Sequence, residues 1–259
     1  CPPRTRTGKR VAVIGSGPAG LACANQLNRK GHTVDVYEKD ERIGGLLRLG
    51  IPNFKLNKNI IDRRLALLEK EGISFICNTP VGENKKQLAS LLADYDAVCV
   101  AIGSGEPRNL SVEGRELKGV YFALELLKQQ NRIIAGEKIA PEELISAKGK
   151  RVLVIGGGDT GSDCVGTAIR QGAESVMQIE IMPKPPVGKN PATPWPNYPQ
   201  VLKTSSSHQE GCERRGSLDT VRFIGENGIL KQVEVAPVTW TKGEDGRMTM
   251  QRAADTEIL

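Results

Sequence analysis

This chain of 259 residues is short of histidine, of aromatic residues and of clustered cysteine. Only His32 and His208 are present, so a catalytic histidine network has few possible members. The cysteines are Cys1, Cys23, Cys77, Cys99, Cys164 and Cys212, and no two stand two or three residues apart. Zinc and iron–sulfur sites of local spacing are therefore unsupported, and no metal site is expected. Cys23 and Cys164 fall inside helical patterns and Cys99 inside an apolar strand, where a free thiol behaves as a small buried hydrophobe. No apolar run approaches the roughly 18 residues a membrane helix needs, and "CPPRTRTGKR" lacks the apolar core of a signal peptide. A cytoplasmic protein with no membrane partner is expected. A net charge of +6 and a pI near 9.0 would suit nucleic acid. Against that, aromatics reach only 4%, and Lys and Arg alternate with Asp and Glu except in "PPRTRTGKR". No nucleic-acid partner is expected, and the excess fits anionic cofactors or a piece of a longer chain.

What is present is one unit written twice. "RVAVIGSGPAGLACANQLNRKGHTVDVYEKDERIGG" starts at Arg10 and "RVLVIGGGDTGSDCVGTAIRQGAESVMQIE" at Arg151. Ordinary domains run to roughly 100–150 residues, so two copies predict two domains. With 39% apolar and 25% charged residues, each half has enough apolar residues to bury a core.

Along the chain, residues 1–9 read as a linker. "RVAVIG" is a strand, "PAGLACANQLNRKG" a helix with Leu21, Ala24 and Leu27 on one face, and "TVDVYE" a second strand. "NIIDRRLALLEKEG" predicts an amphipathic helix from Ile60, Ile61, Leu65, Leu67 and Leu68. "ISFICNTPVG" predicts a strand and turn, "NKKQLASLLADY" a helix, and "DAVCVAIGSGEPR" a buried strand breaking at Gly103. The helix "GVYFALELLKQQN" leads to the second βαβ unit over 150–181. "MPKPPVGKNPATPWPNYP" holds too much proline for helix or sheet interior. From Thr220 the pattern is a β-meander of "TVRFIG", "ILKQVEVAPVTWTK" and "RMTMQRA", with turns at "ENG" and "GEDG". No closing strand is expected at "DTEIL". The expected fold is α/β, with two three-layer Rossmann-like dinucleotide-binding domains and the β-meander in the second.

A G-x-G-x-x-G that closes a strand and opens a helix lets a diphosphate approach the backbone. Gly15 permits the tight turn, Gly17 removes the β-carbon that would meet the phosphate, and Gly20 lets helix and strand pack closely. The helix N-terminus then faces the anion. Glu38, roughly twenty residues on, stands where an acid accepts ribose hydroxyls. The second unit supplies Gly156, Gly158 and Gly161, with Asp159 and Thr160 in place of Pro18 and Ala19, and Glu180 as its acid. Two fingerprints imply two dinucleotides, and the natural pair is a flavin and a nicotinamide, between which hydride passes when the rings stack.

The stretches "VAVIGSGPAGLACANQL", "VYEKDERIGGLLRLGIPNFKL", "VCVAIGS", "ELKGVYFALELL", "VIGGGDTGSDCVGTAIRQGAESVMQIEIMPKPP" and "SSSHQEGCERR" together resemble the small subunit of glutamate synthase. The resemblance implies hydride transfer from NADH or NADPH to FAD. Single electrons then pass through iron–sulfur clusters to the large subunit, where glutamine and 2-oxoglutarate become glutamate. It implies a FAD-binding domain over 1–106 and an NAD(P)H-binding domain over 107–259. FAD would lie on Gly15, Gly17, Pro18, Ala19 and Gly20, with Glu38 and Lys39 at the adenosine and Gly45 and Leu46 beside the isoalloxazine. Gly103 would lie near the crossover between domains. Gly156, Gly158, Asp159, Thr160, Gly161 and Glu180 would hold the nicotinamide nucleotide. The family's N-terminal iron–sulfur domain and its flavin-contacting C-terminal segment have no counterpart here, so a piece of a longer chain is expected, with the clusters elsewhere.

An acid in the position of Glu180 favours the free 2′-hydroxyl of NADH over the phosphate of NADPH, although Lys184 could reach such a phosphate. No catalytic side chain is expected, since hydride transfer needs alignment rather than an acid or base. "IPNFKL" is expected near the flavin on the resemblance alone. Trp195 and Trp240 read as packing residues. His208 reads equally as a polar contact near the nicotinamide or as a solvated loop residue. A related reductase of the dihydropyrimidine dehydrogenase or ferredoxin-NADP reductase type, or a redox-inert docking fragment, are the competing readings.

Overall fold

In the computed structural model the described residues are 3–82, 85–243 and 247–259. The chain divides into two compact units. One comprises Cys1–Pro107 with Lys128–Ile139, the other Arg108–Leu127 with Ala140–Leu259.

The first unit is a parallel sheet. Its strands are β1 (Arg10–Ile14), β2 (Thr33–Tyr37), β3 (Ile73–Ile76) and β4 (Ala97–Val100), in the order β3-β2-β1-β4. Helix α1 (Pro18–Arg29) returns the chain from β1 to β2, and α3 (Lys58–Lys70) leads to β3. A short α2 (Leu46–Leu49) precedes α3, and α4 (Lys85–Asp94) precedes β4. Strand alternation splits the apolar residues between two faces. Val13, Val34 and Val36 pack with Ala24 and Leu68 on one side, while Ala12 packs with Leu91 and Tyr95 of the α4 side on the other. Val13, Val34, Val36 and Leu68 are fully buried, each contributing about 1.5–3 kcal/mol of hydrophobic stabilisation.

The division between units falls inside α5 (Ala123–Ile134). In the second unit β5 (Arg151–Ile155), β6 (Ser175–Glu180) and β7 (Glu213–Gly216) form a parallel sheet in that order, with α6 (Asp159–Arg170) between β5 and β6. Helix α7 (Ser206–Gln209) precedes β7. The antiparallel layer is β8 (Leu218–Glu226), β9 (Ile229–Lys242) and β10 (Met248–Arg252), with β11 (Glu257–Ile258) on β9. Val154 and Val176 face Leu127, Cys164, Val165 and Ala168 of the helical layer. Ile179 faces Leu218, Phe223, Val233 and Val235 of the meander.

Three expectations require correction. Residues before β1 do not behave as a linker: Arg6 bonds Asn28 Oδ1 at 2.7 Å and the carbonyls of His32 and Glu71, and the Thr7 amide donates to Gly31. A closing strand does exist, since Glu257 and Ile258 pair with Val235 and Glu234 and Arg215 grips Glu257 with two bonds. Trp195 is 92% exposed and packs against nothing that would bury it, whereas the Trp240 indole donates to the Ile181 carbonyl at 2.9 Å. The "GEDG" turn, Gly243 apart, lies outside the described residues, as do Cys1 and the Asn84 that would open α4. No helix among the described residues is long and apolar enough to cross a membrane.

Candidate functional site: two glycine turns

In the first turn, the Gly15 amide donates to the Tyr37 carbonyl at 2.8 Å and the chain adopts a φ of +101°. A β-carbon on Gly15 would collide with the Ala101 carbonyl, and one on Gly20 with the carbonyl of Gly15. The fold itself therefore demands those two glycines. Gly17 is different. Its φ of −66° and ψ of −178° suit any residue, and a β-carbon there would meet nothing within 4 Å. Neither packing nor backbone angle within the chain requires glycine here, and the position faces open space at the start of α1. Gly45, at φ +50°, rims that space, because its β-carbon would stand 3.0 Å from the Cα of Gly17.

Glu38 stands beside the turn and is only 5% exposed. Oε2 accepts from both the amide and the hydroxyl of Ser16, and Oε1 accepts from the Asp40 amide at 3.0 Å. A carboxylate oxygen has capacity for a further hydrogen bond beyond that one. Burial pushes the thiol of nearby Cys77 up, with Glu38 adding to the effect.

The second turn repeats the design. Gly156 has φ +116° and donates to the Ile179 carbonyl at 2.8 Å, and a β-carbon on Gly161 would strike the Gly156 carbonyl. Gly158, with φ −78° and ψ −178°, again opens onto empty space. Glu180 accepts from the Gly157 amide and, at 3.2 Å, from the Met182 amide. A β-carbon on Gly157 would come within 2.7 Å of Glu180 Oε2, so this carboxylate lies against the position that Ser16 fills in the first turn.

The other expected residues lie on or near the following elements. Pro18 and Ala19 open α1, and Asp159 and Thr160 open α6; all four are exposed. Lys39 is exposed next to Glu38, and Leu46, at the start of α2, is 47% exposed. Gly103 lies two residues beyond Ala101 in an exposed segment at φ +69°. "IPNFKL" forms a hydrogen-bonded turn at Pro52 that runs into the Asn57 cap of α3, and the Leu49 and Ile51 carbonyls accept from Asn131. His208 is half-buried and stands in α7 rather than a loop, where it closes a capping box with Ser205. Two residues beside the turns, Ser16 and Gln178, escaped sequence reasoning, as did the pairing of Gln178 with His208. A polar residue inside the otherwise apolar "SVMQIE" was the available signal. Among the described residues no group of three or more His, Cys, Asp or Glu side chains could hold a metal ion.

Residues 9–192 match the pyridine nucleotide-disulphide oxidoreductase family. The chain belongs to that family. This pyridine nucleotide-disulphide oxidoreductase chain is 47% identical over 260 residues to the Glutamate synthase (NADPH) small chain of Mycobacterium tuberculosis, covering 99% of this chain and 52% of that protein. It is 45% identical to Glutamate synthase (NADH) of Saccharomyces cerevisiae, over 100% of this chain and 12% of that one. It thus spans about half the length of the bacterial relative. Among solved structures, FprA of Mycobacterium tuberculosis in complex with NADPH superposes with a TM-score of 0.74 at 18% identity, over 97% of this chain and 68% of that chain. That likeness shows the α/β fold, parallel sheets flanked by helices, and the fold alone.

Proposed function

We propose that this chain is the dinucleotide-binding part of the electron-input subunit of glutamate synthase. In that role it brings NAD(P)H and FAD together and delivers electrons to the large subunit, where glutamine and 2-oxoglutarate are converted to glutamate. The observation that carries two dinucleotides is the pair of middle glycines, Gly17 and Gly158, which open onto space that no residue of the chain needs. The identity with glutamate synthase chains, extending over essentially all of this one, supports the choice of acceptor.

FAD fits the first turn. Helix α1 starts directly after the open position at Gly17, Glu38 keeps a lone pair for the adenosine ribose, and Gly45, whose β-carbon would stand 3.0 Å from the Cα of Gly17, leads into Leu46 at the start of α2. Pro18, Ala19 and Lys39 complete the exposed rim. When bound, FAD would supply an acceptor that takes two electrons together and releases them singly. Gly156, Gly158, Asp159, Thr160 and Gly161 hold the nicotinamide nucleotide in this reading, with Glu180 at its adenosine ribose favouring NADH. No side chain is assigned as acid or base; these residues bind and orient.

The test is the flavin spectrum of the purified, FAD-reconstituted chain, recorded without oxygen before and after NADH and NADPH. Bleaching by a nicotinamide nucleotide, and glutamine- and 2-oxoglutarate-dependent NAD(P)H oxidation once the large subunit is added, are expected. Bleaching without stimulation by those substrates would leave a reductase with another acceptor. A chain that binds no flavin would overturn the reading.

A further inference from the structure

The two glycine turns differ in what holds them. Strand β1 lies between β2 and β4, and the residue after β4, Ala101, presents its carbonyl directly against Gly15. Strand β5 is an edge of its sheet, and nothing stands within 4 Å of the β-carbon position of Gly156. The second turn thus lacks the buttress that the first one has.

A polar chain occupies the second turn instead. The amides of Gly15 and Gly156 bond Tyr37 and Ile179 respectively, which aligns β2 with β6 and sets Val36 against Gln178. Val36 is fully buried, and Gln178 is 2% exposed. A buried amide is costly unless both its ends are satisfied, and the twin strand shows that the architecture accepts an aliphatic residue at this point. Both ends of Gln178 are used. Its Nε2 donates to the Gly156 carbonyl at 2.7 Å, and its Oε1 lies 2.9 Å from His208 Nε2. The direction of each bond is fixed by the chain. The Ser205 amide can only donate, and it does so to His208 Nδ1 at 3.1 Å, so the neutral ring carries its proton on Nε2 and donates to Gln178. Ser205 in turn meets Ser162 of α6 at 2.5 Å between hydroxyl oxygens.

We infer that His208 is a positioning residue for the nicotinamide nucleotide: through Gln178 it fixes the Gly156 carbonyl, and so the turn whose following amides cradle the diphosphate. This rests on the second turn being a dinucleotide site. "SSSHQEG" and the glutamine of "SVMQIE" are then one device.

Glutamate at position 208 would keep the capping box, since a carboxylate accepts from the Ser205 amide, but it has no proton for Gln178 Oε1. Glutamine has both. The experiment compares His208→Gln, His208→Glu and Gln178→Val in the full chain by titration with NADH, NADPH and FAD separately, together with amide exchange over residues 156–161 without nucleotide. His208→Gln is expected to behave as the parent. His208→Glu and Gln178→Val are expected to bind the nicotinamide nucleotide about fivefold to tenfold more weakly and to exchange faster over the turn, with FAD affinity unmoved. Equal binding by the two His208 variants, parental binding by Gln178→Val, or a parallel loss of FAD would each overturn the inference. A parent chain that binds neither NADH nor NADPH would sink the underlying site, whereas a parent that binds while all variants match it would sink the positioning role alone.

Discussion

Ser16 and Glu38 are joined by two hydrogen bonds, from the amide and the hydroxyl of Ser16 to one carboxylate oxygen, and both residues are shut away from solvent. The same hydroxyl accepts the Gly44 amide proton at 2.9 Å. One small side chain therefore sets the acid at the adenosine end and the Gly44–Gly45 bend at the flavin end of the proposed FAD site. Replacing Ser16 with Ala leaves Glu38 with backbone donors only and leaves the Gly44 amide without its acceptor. Hydrogen bonds to charged groups are worth about 1.5–3 kcal/mol, so FAD affinity should fall about tenfold or more. Fluorescence titration with FAD checks this, and an unchanged affinity would separate Ser16 from the site.

The middle glycines make a sharper test, because they divide binding from folding. Gly17→Ala and Gly158→Ala add a methyl group where the chain has room and where the backbone angles are ordinary. Their melting temperatures should stay within a few degrees of the parent, while each loses its own dinucleotide by about a hundredfold or more. Gly20→Ala and Gly161→Ala should instead unfold the unit, since the new carbon would meet a carbonyl inside the same turn. Thermal melts by circular dichroism alongside dinucleotide titrations would distinguish the two classes. Full-strength binding by the middle-glycine variants would remove the argument for ligands at these turns.

Both βαβ units were legible in the residues because short-range signals agreed: β-branched runs, helical spacing in α1 and α6, and an acid at the end of each second strand or just after it. What could not be read is long-range. Arg6 reaches Glu71 across 65 positions, and nothing in "PPRTRTGKR" announces that contact. Strand β7 is "ERRG", with no alternation and no β-branched residue, and it exists because β6 offers an edge to Met177–Glu180. On α3 the helical spacing was right but the buried face was narrower than the apolar one: Ile61 and Leu68 are buried, while Ile60 and Leu67 stay 51% and 45% exposed. The glycines of the site were plain in sequence, whereas Ser16 and Gln178 take their meaning from partners that only folding supplies.

Cysteine chemistry follows from burial. Cys164, packed between α6 and the β5 and β6 layer, has its thiol pushed up to about 12 by desolvation, and Cys23, whose sulfur lies 3.4 Å from that of Cys99, is raised to about 11 by burial and that contact. Both values lie well above pH 8, so the reactive thiolate is scarce there. Iodoacetamide at pH 8 should leave Cys23 and Cys164 unmodified in the folded chain and label them quickly in denaturant. Peptide mass spectrometry reads the result, and rapid native labelling of Cys164 would contradict the packing of that layer.

Nucleotide choice turns on Glu180. Its carboxylate is held over Gly157 by two backbone amides, where the proposed nicotinamide site would place the adenosine ribose. A 2′-phosphate brought there would meet a like charge at close range, and two unit charges about 4 Å apart repel by roughly 4 kcal/mol at an effective dielectric of 20. The free hydroxyls of NADH would instead donate to the carboxylate. NADH should therefore reduce the flavin with the higher kcat/KM. Glu180→Gln removes the charge and keeps an acceptor, so the preference should move towards NADPH by about tenfold or more, chiefly through a lower KM for NADPH. Steady-state reduction of the bound flavin with each nucleotide decides it. A parent chain that prefers NADPH, or a variant with an unaltered ratio, would show that another group, Lys184 being the nearest cation in sequence, governs the choice.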